Sequence, residues 1–137
     1  MITQYGVIAW KESDGGGRQV LLITSRDTKR WVIPRGNPIS GLSPPQAAAQ
    51  EAWEEAGIRG ETDDEALGAY PYDKRRLNGL LVPAEVQVFA MLVSEEAETW
   101  PEASQRERRW FSPAEAAEAV DEPELGALLG KLEQEGT

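Results

Sequence analysis

The chain has 137 residues, of which 40% are hydrophobic, and a formal net charge of −10 at pH 7. This length can bury one ordinary core, so we expect one domain over residues 1–137. The acidity argues against duplex nucleic acid or an anionic membrane as a surface partner, and the lack of Cys and His excludes disulfides, thiolate nucleophiles and imidazole chemistry.

The N-terminal part predicts a β-hairpin followed by a short third strand. Residues 6–10 and 19–25 are apolar and β-branched, as strands are, and three consecutive glycines separate them as a loop. Residues 31–33 form the third strand, which ends at Pro34. Gly and Pro signals then predict a loop over residues 36–42.

The helix that follows this loop has well-marked ends. Ser43 is a suitable N-cap, Pro44 suits the first helical position, and Gln46 lies where a capping box places Glu or Gln. Gly57 can end the helix in a left-handed conformation. The sequence therefore predicts a helix between Ser43 and Gly57.

The C-terminal half predicts three strands and one or two short helices. Residues 67–72 and 86–93 are strands on either side of a basic, glycine-containing turn, and residues 109–111 form a short strand. Ser112 begins a second capping signature. Strands interleaved with helices predict an α/β fold. No stretch approaches the ~20 apolar residues of a membrane span and the start has no basic, apolar leader, so we expect a cytoplasmic location.

Three carboxylates crowd the second half of the predicted helix. Glu51, Glu54 and Glu55 share one face of a helical wheel, with Trp53 on the opposite side, which is expected to pack on a sheet. Like charges at these spacings repel, and the negative end of the helix dipole adds to the repulsion. A bound cation such as Mg²⁺, which prefers oxygen ligands, would reverse both effects. The alternative is a plain solvated acidic face.

The segment GNPISGLSPPQAAAQEAWEEAGI, residues 36–58, resembles the Nudix box, whose pattern is G-x5-E-x7-R-E-U-x-E-E-x-G-U with U an aliphatic residue. The matching positions keep the family's spacing: Gly36, Glu51, Ala52, Glu54, Glu55, Gly57 and Ile58. Two positions differ, because Leu42 stands where the family has Glu and Gln50 where it has Arg. The resemblance implies a Nudix-type α/β/α sandwich with a mixed sheet.

The resemblance also implies a chemistry for this box. Family members hydrolyse a pyrophosphate linkage by water attack on phosphorus, with Mg²⁺ or Mn²⁺ as cofactor. By this resemblance Glu51 and Glu55 are metal ligands and Glu54 is a ligand or the catalytic base. The backbone at Gly36 is a further expected metal ligand.

Many family members place another catalytic Glu outside the box, ahead of a strand such as residues 109–111. The resemblance makes Glu107 and Glu102 the candidates for this role, with Glu85 a weaker third. The alternative for each is an acid that is merely solvated.

Three further segments, RWVIPRG, YPYDKRR and WPEASQRERRWFSPAEAA, resemble the branch of the family that contains diadenosine and diphosphoinositol polyphosphate hydrolases. The resemblance implies a small-molecule substrate, a nucleoside- or inositol-type polyphosphate. Clustered positive charge in an acidic chain predicts the residues that bind its phosphates: Arg35, Lys74, Arg75 and Arg76. The alternative for the run at 74–76 is a basic turn that offsets nearby acids.

A competing hypothesis is a Nudix-fold binding or regulatory module without turnover, because Leu42 and Gln50 lack the charges that the family has there. The oligomeric state stays open.

Most aromatic residues are expected in the core: Trp10, Trp31, Trp53 and Trp110. Three others are candidates to border the substrate: Tyr70, Tyr72 and Trp100.

Overall fold

The computed structural model describes residues 1–135, whose strands form one mixed eight-stranded sheet with helices on both faces. The strands are β1 (Ile2–Glu12), β2 (Arg18–Thr24), β3 (Trp31–Val32), β4 (Arg35–Gly36), β5 (Ile58–Thr62), β6 (Gly68–Arg75), β7 (Leu81–Glu96) and β8 (Arg108–Phe111). The helices are α1 (Pro44–Ala56), α2 (Pro113–Ala119) and α3 (Pro123–Glu135). Because α1 covers one face and α2 and α3 the other, the predicted α/β/α sandwich is confirmed.

The centre of the sheet is the parallel pair β1 and β7, whose register begins with Ile2 opposite Ala84. Along the path β3-β2-β1-β7-β5 the other neighbours are antiparallel, and β4, β6 and β8 pair with β1, β7 and β2. Three consecutive residues of β1, Val7, Ile8 and Ala9, are buried completely. Such a run is typical of a strand covered on both faces.

Two apolar clusters fill the space between the sheet and its helices. Successive side chains of β1 point to opposite faces, so that Val7 contacts the α1 cluster and Ile8 the cluster under α2 and α3. The α1 side uses small residues, which let the helix lie close to the sheet: Ala48, Ala52 and Ala56. The other side uses large residues of α3: Leu125, Leu129 and Leu132.

The predicted helix ends are confirmed. Ser43 forms the complete capping box with Gln46, and Gly57 ends α1 in the left-handed region with φ 69°. Ser112 forms the same box with Glu115 at the start of α2. These signals depend on residues that are close in the sequence, so the local sequence alone predicts them.

Strand bounds differ from the predictions where the pairing partner decides them. β4 pairs with β1 and overlaps the predicted loop at Gly36, and β5, which was not predicted, pairs with β7. β6 and β7 are longer than predicted, so Lys74 and Arg75 belong to a strand and the turn begins at Arg76. Within residues 1–135, no helix has the length and apolar character needed to cross a lipid bilayer.

Replacing Gly57 with Ala is expected to lower the free energy of unfolding by about 1–3 kcal/mol. Its φ of +69° is left-handed, and a Cβ there would lie 2.7 Å from Cδ2 of Trp100. Urea unfolding followed by circular dichroism measures the loss. Gly130→Ala is the matched control, because that α3 position has open space around it and alanine favours a helix over glycine by up to about 1 kcal/mol. Equal losses in both variants would contradict the assignment.

Candidate active site

A cleft of about 570 Å³ lies between β1, β4, β6, the loop after β2 and the C-terminal part of α1. Basic side chains dominate its walls: Arg26, Arg30, Arg35, Lys74, Arg75 and Arg106. Fewer acidic side chains line it: Asp27, Glu55 and Asp73. In a chain with a net charge of −10, this is a local basic region that suits an anionic ligand.

At one end of the cleft, α1 lies directly over β4. Gly36 pairs with Tyr5 of β1, and a Cβ at Gly36 would lie 2.3 Å from Cδ of Glu51. The backbone amide of Arg35 donates to Oε1 of Glu55 at 3.3 Å. Glu51 and Glu55, one helical turn apart, also hydrogen-bond to each other. The structure therefore brings together three of the predicted metal-ligand positions.

Glu55 is the more buried member of this pair, with 8% of its surface exposed. Burial raises the pKa of Glu55 to about 8; the Arg106 charge opposes the rise, and Glu51 adds to it. Burial also raises the pKa of Glu51, while the hydrogen bond from Glu55 lowers it. Burial therefore disfavours the ionised form of both carboxyl groups in the absence of a cation, and more strongly that of Glu55.

The predicted faces of α1 need correction. Glu55 is buried against β4 and does not lie on a solvated acidic face. Trp53, predicted to pack in the core, is half buried, with the Arg59 guanidinium carbon 3.6 Å from its ring centroid. The physical reason is that α1 has contacts on more than one side, since the Glu55 carboxylate accepts from the Arg35 amide at 3.3 Å and the Glu55 carbonyl accepts from Trp100 Nε1 at 2.9 Å. One buried stripe cannot describe a helix that is packed from two sides.

The two departures from the Nudix pattern lie outside the basic cleft. Gln50 Nε2 donates to Oε2 of Glu54 at 3.0 Å, so it still contacts a carboxylate of the box, without a charge. Leu42 is 40% exposed and lines a shallow depression with Trp53. The Leu42 side chain therefore contributes no oxygen to the site, whereas Gln50 hydrogen-bonds Glu54.

The loop over residues 97–107 packs against the C-terminal end of α1. The Glu102 amide donates to the Glu54 carbonyl at 3.0 Å. The Glu102 carboxylate accepts a hydrogen bond from Arg106 Nε at 2.8 Å, and Arg106 Nη2 lies 3.8 Å from Glu55 Oε1. This loop therefore places one acidic side chain, Glu102, and one basic side chain, Arg106, next to the paired carboxylates.

The acids proposed outside the box have different surroundings. Glu107 is exposed, lines a separate depression, and donates its backbone amide to Thr24 Oγ1 at 2.9 Å. Glu85 lies within β7 and does not line the cleft. Glu102 differs from both, because its charge acts on Glu51. None of the three lines the cleft, but the proximity of Glu102 to the paired carboxylates favours it, and the role of Glu107 stays a prediction.

Sequence reasoning misses Arg106, because the run SQRERR at 104–109 has the composition of a solvated loop. The signal that could have found it is the two-residue period of the strand that follows. Arg106 and Arg108 point toward α1, where Arg108 Nη1 donates to the Ala56 carbonyl at 2.8 Å. The intervening Glu107 is exposed.

A polar network holds the basic side chains on the opposite wall of the cleft. The guanidinium carbon of Arg35 lies 4.1 Å from the ring centroid of Tyr72, and Tyr72 Oη donates to Oε1 of Gln4. Gln4, itself buried, donates to Oδ1 of Asn37 at 3.0 Å, and Lys74 Nζ donates to the same oxygen at 3.4 Å. The predicted phosphate ligands Arg35 and Lys74 are therefore linked through one buried amide, which sequence reasoning misses.

The three aromatic residues predicted to border the substrate have different surroundings. Tyr70 is fully buried, accepts a hydrogen bond from Arg35 Nη1 at 3.3 Å, and burial raises its pKa to about 12. Trp100 packs on the end of α1, and Tyr72 is the one of the three that lines the cleft. Three tryptophans pack against the core clusters as predicted: Trp10, Trp31 and Trp110.

The three residues of the basic run at 74–76 also have different surroundings. Lys74 and Arg75 line the basic cleft. Arg76 does not, and lies instead at the exposed hairpin tip beside Leu77. Lys74 and Arg75 also reach the depression at this tip, so they lie between the cleft and Arg76.

Among residues 1–135, no three or more Asp, Glu, His or Cys side chains are grouped as a metal site. The Glu51 and Glu55 pair nevertheless matches the way Mg²⁺ is held in phosphate-processing sites, by one or two carboxylates with water and substrate phosphates. Glu51 occupies the space that a Cβ at Gly36 would fill. The donor set therefore fits a hard divalent cation.

The family model described as NUDIX domain matches residues 3–129. Nudix hydrolase 4 of Arabidopsis thaliana is 41% identical over 100 residues, which cover 73% of this chain and 46% of that protein. Diphosphoinositol polyphosphate phosphohydrolase 3-alpha of Mus musculus is 30% identical over 124 residues, which cover 87% of this chain and 71% of that protein. The crystal structure of C. elegans Ap4A hydrolase superposes with a TM-score of 0.67 at 19% identity, covering 96% of this chain and 95% of that one.

The chain spans about half the length of the first two Arabidopsis relatives that it matches. It belongs to the Nudix family.

Proposed function

We propose that this chain hydrolyses a pyrophosphate linkage in a nucleoside- or inositol-type polyphosphate. The observation that carries the proposal is a basic cleft that ends at the buried carboxyl group of Glu55, with half-buried Glu51 one helical turn away. Its basic side chains offer a polyphosphate contacts that the acidic remainder of the surface does not. The names of the relatives support this chemistry, since they are hydrolases, one of diphosphoinositol polyphosphates and one of Ap4A.

In this proposal Arg35, Lys74 and Arg75 bind substrate phosphates. Glu51 and Glu55, with the backbone at Gly36, hold Mg²⁺ or Mn²⁺. The bound ion would neutralise phosphate oxygens and lower the pKa of the attacking water. The cytoplasm stays the predicted location of the reaction.

The hydrolysis itself exchanges one bond for another. The water oxygen bonds to phosphorus, the bridging P–O bond breaks, and the leaving phosphate keeps the electron pair of that bond. The proton of the water passes to a carboxylate, for which we propose Glu54, which accepts a hydrogen bond from Gln50, or Glu102, which accepts one from Arg106. Glu107 is a third candidate.

The second candidate function is a phosphate-ligand binding module without turnover. The observation that favours it is Leu42, which is 40% exposed and supplies no oxygen where the Nudix pattern has an acid. Such a module would keep the basic cleft and bind a polyphosphate intact.

Incubation with a panel of dinucleoside polyphosphates and inositol pyrophosphates, in Mg²⁺, Mn²⁺ or EDTA, decides between the two functions. We expect phosphate products in the presence of either metal and none in EDTA. Binding of a panel member without any metal-dependent product would overturn the hydrolase proposal and support the module.

The basic run provides a matched test of substrate binding. Replacing Lys74 and Arg75 together with Ala is expected to raise KM by about tenfold or more, because each loses a charged contact to phosphate. Arg76→Ala is the control, and we expect its KM to stay within about twofold of wild type because its side chain lies outside the cleft. Steady-state kinetics at saturating Mg²⁺ measures both. Equal KM changes in both proteins would contradict the division of the run.

A further inference from the structure

Arg106 joins three elements at the metal end of the cleft. Its Nε donates to Glu102 Oε1 at 2.8 Å, its Nη1 donates to the Thr24 carbonyl at 3.1 Å, and its Nη2 lies 3.8 Å from Glu55 Oε1. The side chain is 9% exposed, so these contacts and not water satisfy most of its polar atoms. A planar guanidinium can make all three contacts at once.

Arg106 is also the counter-ion of a buried acid. Among residues 1–135, no other cationic side chain lies within ion-pair distance of Glu55. The nearby Arg35 offers Glu55 its backbone amide, while its guanidinium stacks on Tyr72. The positive charge of Arg106 therefore occupies the electrostatic role that a divalent cation would take at the same carboxylate.

We infer that Arg106 is a positioning residue that both competes with the divalent cation for Glu55 and fixes the placement of Glu102. This inference rests on the proposed function, because it takes Glu55 as a metal ligand. The two effects oppose each other: the charge of Arg106 weakens cation binding, whereas its hydrogen bond to Glu102 favours turnover.

The charge effect has a definite sign. A positive charge near a bound cation is unfavourable, and the effect is strong where the side chains are withdrawn from water. A divalent ion carries twice the charge of a proton, so removing Arg106 helps the ion more than it helps a proton that competes for Glu55. Loss of the Arg106 charge should therefore tighten cation binding.

The experiment compares Arg106→Gln and Arg106→Lys with wild type. Mn²⁺ affinity is measured by electron paramagnetic resonance of the free ion, without substrate, and kcat and KM are measured separately. For Arg106→Gln we expect a Mn²⁺ Kd at least about threefold lower and a kcat at least about tenfold lower. Arg106→Lys keeps the charge and loses the fork, so its Kd should stay within about twofold of wild type while kcat falls.

Arg30→Gln is the control, because Arg30 lines the same cleft but pairs with Asp121 and Glu122. Its Mn²⁺ affinity should not change. Circular dichroism checks that every variant is folded, and Arg106→Met, which also removes the charge, replaces Arg106→Gln if that variant does not fold. A merely structural role would weaken Mn²⁺ binding and kcat together, so this result, or an unchanged Kd and kcat in a folded variant, would overturn the inference.

The same measurements separate this inference from the proposed function. If wild type binds no Mn²⁺ and hydrolyses nothing, the proposed function fails and the inference fails with it. If wild type binds Mn²⁺ and is active while Arg106→Gln binds the ion no more tightly, the inference alone is wrong.

Discussion

Replacing Glu55 with Gln is expected to abolish turnover and, in metal-free buffer, to stabilise the folded chain. Turnover should fall by about a hundredfold or more, because a neutral amide is a poor substitute for a carboxylate ligand. Stability should rise because the carboxyl group is 8% exposed and faces Glu51, so ionising it costs free energy in the folded state. The amide keeps nearly the same shape and can still accept the hydrogen bond from the Arg35 amide.

The stability gain should depend on pH with a definite sign. The pKa of Glu55 is about 8 in the folded state, against an ordinary value of 4.5. Between these two values the folded state keeps a proton that the unfolded state has released. Wild-type stability therefore falls as the pH rises through this window, with a slope of at most about 1.4 kcal/mol per pH unit from this group. The advantage of Glu55→Gln should grow over the window and level off above it.

Urea unfolding in EDTA at several pH values measures this difference between the two proteins. Glu118→Gln is the control, because that exposed acid lies on α2 away from the cleft and should leave both turnover and the pH profile unchanged. Addition of Mg²⁺ should raise the melting temperature of wild type and leave that of Glu55→Gln nearly unchanged, since a ligand stabilises the state that binds it. A variant with wild-type turnover would refute the ligand assignment, and a pH-independent stability difference would refute the buried carboxyl account.

Local sequence signals predict α1 to the residue, whereas long-range contacts decide its chemistry. Ser43 and Gly57 mark the helix ends because capping depends on neighbours within one turn. The Glu55 carboxylate is buried against the Arg35 amide, which lies 20 residues earlier in the chain, and against the Arg106 guanidinium. No periodicity within the helix carries that information.

The same distinction explains the two strands that the sequence does not predict. β4 and β5 are short and polar, and each exists because a longer strand offers it a free edge: β1 for the first and β7 for the second. Charge creates a similar difficulty at Arg106, where composition indicates a solvated loop while the fold places the side chain between Glu55 and Glu102. The sequence predicts the acids of the box. The positions of the Arg106 guanidinium and the Gln4 amide beside the cleft can be read only from the folded structure.

Replacing Gly36 with Ala is expected to weaken cation binding while leaving the fold intact. A Cβ at this position would lie 2.3 Å from Cδ and 2.5 Å from Oε1 of Glu51, so the two groups cannot share the space. The colliding atoms are the far end of a flexible side chain, which can rotate away without moving α1. We expect the Mn²⁺ Kd to rise by about tenfold or more and the free energy of unfolding to fall by no more than about 1–3 kcal/mol.

Gly15→Ala is the control for this substitution, because nothing lies within 4 Å of a Cβ at that position. Electron paramagnetic resonance gives the Mn²⁺ affinity, and urea unfolding gives the stability. An unchanged affinity in Gly36→Ala would show that the cation does not use Glu51 in the position that the structure gives it.

A double-mutant cycle with Glu51→Ala tests whether Gly36→Ala weakens Mn²⁺ binding by displacing the Glu51 carboxylate. Once the Glu51 carboxylate is removed, a methyl group at position 36 has nothing to displace, so adding Gly36→Ala to Glu51→Ala should cause no further loss of Mn²⁺ affinity. Two substitutions that act through one side chain are non-additive in this way. If the two losses instead added, the glycine would be needed for its own backbone, and the metal would depend on β4 independently of Glu51.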